Sequence, residues 1–334
     1  MEKRAIADFH ARLHRWYRTH GRHDLPWRNT ADPYPIYISE IMLQQTQVKT
    51  VLERFYHPFL KRFPTLQALA DAPLDDVLKQ WEGLGYYNRA ANLHKAARTA
   101  GEALPQTVEA LEALPGIGRN TAHAVAAFAH HAPVPVMEAN VKRVLCRIFT
   151  LKKADPKQLW EKAFQLLDKT QPFDYNQAMM DIGSMVCTKR NPACDICPST
   201  AICKGKASPE AFPEAVKKKA TPVRKRQIIA WRDNKGRYYL APREGRFLNG
   251  LYGFAEYPET ADTASFYNHA YRIAEGECLG NVSQTYSHFR LDGTVWRIEV
   301  GDAREEGWFA LEALDKLALS GVDHKVVSLL ISAD

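Results

Sequence analysis

Four cysteines are the residues best placed to do chemistry. Cys187, Cys194, Cys197 and Cys203 have six, two and five residues between them, with no histidine in the stretch. Four soft thiolates within one short segment can close around a single 4Fe-4S iron–sulfur cluster. The uneven spacing departs from the paired CxxC…CxxC of a zinc ribbon. A structural zinc knuckle or free thiols are the alternatives.

A second constellation lies upstream. Leu114-Pro115-Gly116-Ile117-Gly118-Arg119-Asn120-Thr121-Ala122 follows one helical pattern and opens another. Gly116 and Gly118 let the backbone turn tightly and turn its N–H groups outward. With the next helix N-terminus they would form a seat for an anion such as a DNA phosphate. An ordinary helix–turn–helix corner is the alternative.

These groups need a scaffold, and the chain supplies two kinds. Residues 1–204 read as helix after helix, with apolar residues at three- and four-residue steps in segments such as 157–171. Pro64, Pro73, Gly83, Gly85, Pro105 and Pro115 punctuate them. Residues 205–227 are rich in Pro and Lys without periodicity and read as a linker, its basic run either a solvated tether or a phosphate contact. Residues 228–334 read as a smaller α+β domain. Residues 227–244 form a hairpin pattern around Gly236, 294–300 another strand, and 266–276 and 311–320 helices.

Composition narrows the class. A chain of 334 residues is long for one core, which favours two domains. Cys146 and Cys278 are isolated, as expected of a reducing compartment. The N-terminal residues carry no apolar core of a signal peptide, and no apolar run approaches a membrane span. A cytoplasmic protein with no membrane partner is expected. The net charge of +7 favours a polyanion partner.

A helix–hairpin–helix loop followed by this cysteine spacing resembles the endonuclease III superfamily of base-excision DNA glycosylases, and within it the adenine-specific MutY branch. Segments 25–28, 39–48, 81–97, 114–122, 139–145 and 176–188 are similar to its successive blocks. The resemblance implies a mainly α helix–hairpin–helix glycosylase fold with an iron–sulfur cluster, followed by an α+β Nudix-like domain. It implies a monomeric, monofunctional enzyme that removes adenine opposite 8-oxoguanine (or guanine) in double-stranded DNA. A same-fold glycosylase with another target base, or a weakly catalytic lesion binder, is the alternative.

The resemblance also implies roles for residues. Breaking an N-glycosidic bond calls for a proton on the leaving base and negative charge near the oxocarbenium ion. Glu40, inside an apolar run, takes the position of the general acid at adenine N7; a surface Glu on an amphipathic helix is the bland reading. The second carboxyl departs from the family's Asp-Gly-Asn: here Glu138 and Ala139 precede the matching Asn140. Glu adds a methylene and caps a helix less well than Asp, and the Cβ of Ala139 narrows the backbone choices. Asn120 occupies the position of the lysine nucleophile of bifunctional relatives and cannot form an imine. Lys142 lies nearby in sequence. Gln45, Thr46, Leu84 and Tyr86 would act around the lesion pair, the last two as candidate wedges. Arg28 and Gln177 would line the adenine pocket. Lys189 and Arg190 would rest on phosphate. Tyr286-Ser287-His288 matches the lesion-reading tip, with Ser287 and His288 bonding the altered base edge. No segment in the C-terminal domain matches the metal-binding motif of a Nudix hydrolase, so a reading domain is expected. His123, His130 and His131 have no evident partner.

Overall fold

A computed structural model describes residues 2–153, 155–215, 220–245, 247–301 and 306–333. The chain divides into two compact units, 1–70 with 95–217 and 71–94 with 218–334. The sequence alone suggested contiguous boundaries at 204 and 228.

The first unit is helical. Asp32 caps the helix Pro33–Leu43, accepting the Tyr34 N–H at 2.9 Å, and proline occupies the first turn, where no N–H is missed. This helix is apolar on nearly all sides and buries eight residues, Glu40 among them. A helix of that kind belongs inside a core. It packs against Arg119–His130, whose small face (Ala124, Ala127) allows close approach to Ile36. A second core joins the N-terminal helix Lys3–His20 (Phe9, Leu13, Tyr17) to the helices Ala139–Phe149, Pro156–Leu166 and Pro172–Asp181.

In the second unit the strand Val223–Arg232 is central. It pairs in parallel with Arg290–Glu299, from Val223↔Arg290 to Arg232↔Glu299, and antiparallel with Ala255–Pro258 and with Tyr238. The turn to Tyr238 uses Gly236 at φ 75° and the Asp233 carboxylate, which accepts the Lys235 and Arg237 N–H groups. Strands Glu277–Thr285 and Arg290–Glu299 form a hairpin. The helix Gly321–Ala333 covers this sheet. Residues 71–94 pack here too: Lys79 Nζ donates to Leu317 O (3.0 Å), Tyr87 OH to Leu319 O (3.3 Å), and Glu82 meets His324.

Two element assignments change. The segment 266–276 is not a helix but part of the β-hairpin Thr263–Phe266/His269–Arg272 with a 3-10 turn. Its aromatics Phe266 and Tyr271 pack with Trp231, a tertiary demand that overrides the helical pattern. Residues 311–316 form a 3-10 turn, and the α-helix follows at 321. The segment read as a linker starts as ordered structure. The Gly205 N–H donates to Arg147 O and the Glu214 N–H to Lys152 O, and the first sheet strand begins at Val223. Its lysines 217–219 lie outside the described residues.

Candidate active site and cysteine cavity

Glu40 is buried, so it is not the surface residue of an amphipathic helix. Burial pushes its carboxyl well above the ordinary range; Glu138 raises it further and Arg28 opposes. Glu138 is the N-cap of Ala139–Phe149, with extended backbone (φ −81°, ψ 173°) and no side-chain capping bond. Its pKa is also raised by burial, against the pull of Arg22 and Arg28. Two carboxyls that perturb each other in a dry site favour holding one proton between them.

The cations beside this pair are held from behind. Arg28 is buried and forms a two-pronged contact with Asp181, Nη1–Oδ2 2.8 Å and Nη2–Oδ1 2.9 Å. Arg22 donates its backbone N–H (2.9 Å) and its Nε (2.7 Å) to the same carboxylate. Burial works to raise the Asp181 pKa, but the hydrogen bonds and charges of Arg28 and Arg22 outweigh it and hold it low. Sequence reasoning did not single out Asp181, which lies inside the block 176–188. Gln177 sits one turn earlier on the same helix, buried, with Oε1 lacking a partner.

Asn120 does more than lack an amine: its Oδ1 accepts the Met137 N–H at 2.7 Å, next to Glu138. Asn140 Oδ1 accepts from Arg143 Nη2 at 3.0 Å, and Lys142 is exposed on the same helix. In the hairpin, Gly116 has φ 74°, and Gly118 caps Arg119–His130 from an exposed position with open space where a side chain would stand. Gln45 is exposed with φ 60°, an uncommon backbone state for its type, and Thr46 follows it. In the other unit Tyr86 also has positive φ (52°) and is 39% exposed, between Gly85 and the cation-bearing Arg89. Leu84 is buried at 7% exposure, so of the two candidate wedges Tyr86 alone is presented. The reason is local: Arg89 Nη2 donates to the carbonyls of Leu84 and Gly85, and Trp81 Nε1 to Gly85 O, folding the loop over Leu84.

The four cysteines line one cavity with Val144, Ile148, Ser199 and Arg147. Ser199 is buried and its hydroxyl has no partner of normal hydrogen-bond geometry. Arg147 Nη1 donates to Cys187 Sγ at 3.2 Å and Thr188 O at 2.7 Å, while Nε reaches Pro209 O at 2.8 Å. Among the described residues no three His, Cys, Asp or Glu side chains converge to grip a single metal ion. Four thiols around a shared cavity, with a guanidinium beside one sulfur, suit a multi-iron cluster carrying net negative charge. Lys189 and Arg190 are exposed on this loop.

Ser287 and His288 are exposed at the tip between strands 277–285 and 290–299, closed by Tyr286 N–H to Phe289 O at 2.8 Å. Tyr286, Phe289 and Phe247 pack edge-on and tilted beneath it, with Arg224 over the Phe289 ring at 4.0 Å. His123, which had no evident partner in sequence, donates from Nδ1 to Pro135 O at 2.8 Å. No helix among the described residues is long and apolar enough to cross a membrane.

Known proteins resemble this chain over part of its length. Residues 38–169 match the family described as HhH-GPD superfamily base excision DNA repair protein, and 227–329 match the NUDIX domain. The chain is 40% identical over 211 residues to the adenine DNA glycosylase of Buchnera aphidicola (subsp. Baizongia pistaciae), covering 61% of this chain and 60% of the relative. It is 42% identical over 220 residues to the Homo sapiens adenine DNA glycosylase, covering 60% of this chain and 40% of the relative. The matches therefore span less than two thirds of these relatives' length. Among solved structures, a thermostable thymine-DNA glycosylase aligns with TM-score 0.57 and 29% identity over 61% of this chain and 97% of that one. A non-covalent endonuclease III–DNA complex aligns with TM-score 0.53 and 19% identity over 62% and 97%, which shows a shared fold.

Proposed function

We propose that this homologue of adenine DNA glycosylases, an HhH-GPD protein over residues 38–169, is itself a monofunctional adenine DNA glycosylase of base excision repair. Its substrate would be adenine mispaired with 8-oxoguanine or guanine in duplex DNA. The observation that carries the reading is the pair of mutually perturbed carboxyls, Glu40 buried and Glu138 half-buried, backed by Arg28.

The chemistry follows from their environments. Glu40 lies in an apolar helix that favours its protonated form, so it can donate to adenine N7 as the base leaves. Arg22 and Arg28 both oppose the rise at Glu138 and Arg28 alone opposes it at Glu40, so Glu138 would be the member of the pair that carries negative charge and stabilises the oxocarbenium ion at the sugar. Arg28 and Gln177 would contact the extruded base, and Asn140 the sugar. Asn120 offers no amine, so the product is an abasic site in an intact strand. The exposed backbone at Gly116 and Gly118 would seat a phosphate. Gln45, Thr46 and Tyr86 would fill the space around the lesion pair. Cys187, Cys194, Cys197 and Cys203 would hold a 4Fe-4S cluster whose contribution is to fold the loop that carries Lys189 and Arg190. Ser287 and His288 would read the base opposite.

The test is single-turnover cleavage of duplexes carrying adenine, thymine or uracil opposite 8-oxoguanine or guanine, with and without alkali. Adenine release opposite 8-oxoguanine, revealed only by alkali, is the expected result. Release of thymine instead would favour the second reading, a same-fold enzyme with another target base, which the departure at Glu138-Ala139 and the similarity to a thymine-DNA glycosylase keep in view.

A further inference from the structure

The carboxylate of Glu138 is delivered by a stretch of chain with no regular structure. Residues 132–138 lie between the helices Arg119–His130 and Ala139–Phe149. Irregular backbone inside a protein must still satisfy its polar groups. Proline at 133 and 135 removes two donors; the Ala132 and Val134 N–H groups donate to the backbone carbonyls of Ala126 and Ala132, and side chains meet the groups that follow. Asn176 Oδ1 accepts the Val136 N–H at 2.8 Å, and its Nδ2 donates to Val134 O and Pro172 O, both at 2.9 Å. His123 Nδ1 meets Pro135 O at 2.8 Å; a carbonyl only accepts, so this nitrogen carries the proton. Asn120 Oδ1 accepts the Met137 N–H at 2.7 Å. Four consecutive residues are therefore bonded by three side chains from two helices.

The clamp is itself rigid. Asn176 is 1% and His123 3% exposed. The His123 ring packs against Trp160 with centroids 4.7 Å apart, and Arg119 covers the other ring system at 4.0 Å. Glu138 has no capping bond of its own and one more rotor than Asp, so its placement depends on the backbone that precedes it.

We infer that His123 and Asn176, acting with Asn120, are positioning residues for base release: they fix residues 134–137 and thereby the place of the Glu138 carboxylate. The inference rests on the proposed glycosylase reading. Neither residue touches the base or the sugar; each acts through Glu138.

The test pairs His123→Phe, which keeps a ring against Trp160 but loses the donor, with His123→Gln, which restores one. Asn176→Ala is the companion. Single-turnover adenine release and duplex Kd are measured for each in the full chain. His123→Phe should slow release by about 10- to 100-fold, the cost of a carboxylate displaced by roughly an ångström, with Kd little changed. His123→Gln should recover most of the rate. In a Glu138→Gln background, followed over long incubations, His123→Phe should cost nothing further, because the group it positions is gone. Should Asn176→Ala fail to fold, the His123 pair still decides. Parental rates in both His123 variants, or an equal loss with and without the Glu138 carboxylate, overturn the inference. An inactive parent protein is a separate result: it removes the glycosylase reading and the inference with it.

Discussion

Replacing Glu40 with Gln should abolish base release and, in the same molecule, relieve a pH-dependent strain on folding. A buried carboxyl with a raised pKa keeps its proton when the unfolded chain has already lost it. Above the unfolded value of about 4.3 the folded state therefore binds more protons, and stability falls as pH rises. The slope is at most about 1.4 kcal/mol per pH unit for one group, and it continues until pH passes the folded pKa. Gln has no proton to hold, so the slope belonging to Glu40 vanishes. Over about two pH units the difference between parent and variant should grow by up to roughly 2–3 kcal/mol in favour of the variant. The sign is the reverse of that for Asp181, whose depressed pKa adds stability at neutral pH that is lost on acidification. If Glu40 supplies the proposed proton, its loss should cost at least about 10²–10⁴-fold in rate, and the whole of base release where no other proton source reaches the base. The assay is urea denaturation of both proteins from about pH 4 to pH 8, with single-turnover release on the same samples. Parallel stability curves would refute the reasoning, since they would mean that the folded Glu40 titrates like a solvated carboxyl.

The purified protein should be yellow-brown with about four irons per chain. Cys197→Ala should lose that iron, and Arg147→Gln should weaken its retention because the Arg147 contact to Cys187 Sγ is gone; stoichiometric zinc in protein prepared without oxygen would sink the cluster. Ser287→Ala with His288→Ala should leave adenine release in place while lowering the preference for 8-oxoguanine over guanine, measured as the ratio of the two rates. Unchanged discrimination would take the lesion-reading role away from the tip. Glu138→Asp with Ala139→Gly should raise the adenine rate if a shorter carboxylate fits the proposed site better; a lower rate would mean the pocket has adapted to the longer carboxylate.

How far the sequence reveals the fold depends on the kind of signal. The helical unit was legible because its periodicity and its Pro and Gly breaks are local. So was the strand around 228, where an apolar β-branched run meets a turn with Gly236. The hairpin 263–272 was not, because Phe266 and Tyr271 pack tilted against Trp231 of another strand pair, and no local pattern records that. Nor does local pattern show that 71–94 packs with the C-terminal residues. The cysteines were found by type and spacing, and the candidate carboxyls only through the family resemblance. Their supports were not: Asp181, Arg22, His123 and Asn176 act by tertiary hydrogen bonds 12 to 159 positions away in the chain.

The departure at 138–139 acquires a physical meaning once the local backbone is known. Ala139 opens a regular helix from an exposed position, so nothing there demands glycine, and an alanine stabilises the helix by about 1 kcal/mol relative to it. Asp at an N-cap usually commits one oxygen to the N–H groups of the first turn. Glu138 makes no such bond, and its longer side chain instead extends to within electrostatic reach of Glu40, Arg22 and Arg28. Its negative charge still favours the helix N-terminus. Glu138 is thus a carboxylate without a capping anchor of its own. Anchoring then falls to the chain before it, where Asn120, His123 and Asn176 hold four successive residues. Asn120 thus contributes a hydrogen bond to that chain. A carboxylate one methylene longer makes that bond more consequential, because the freedom added at the side chain is compensated only by removing it from the backbone.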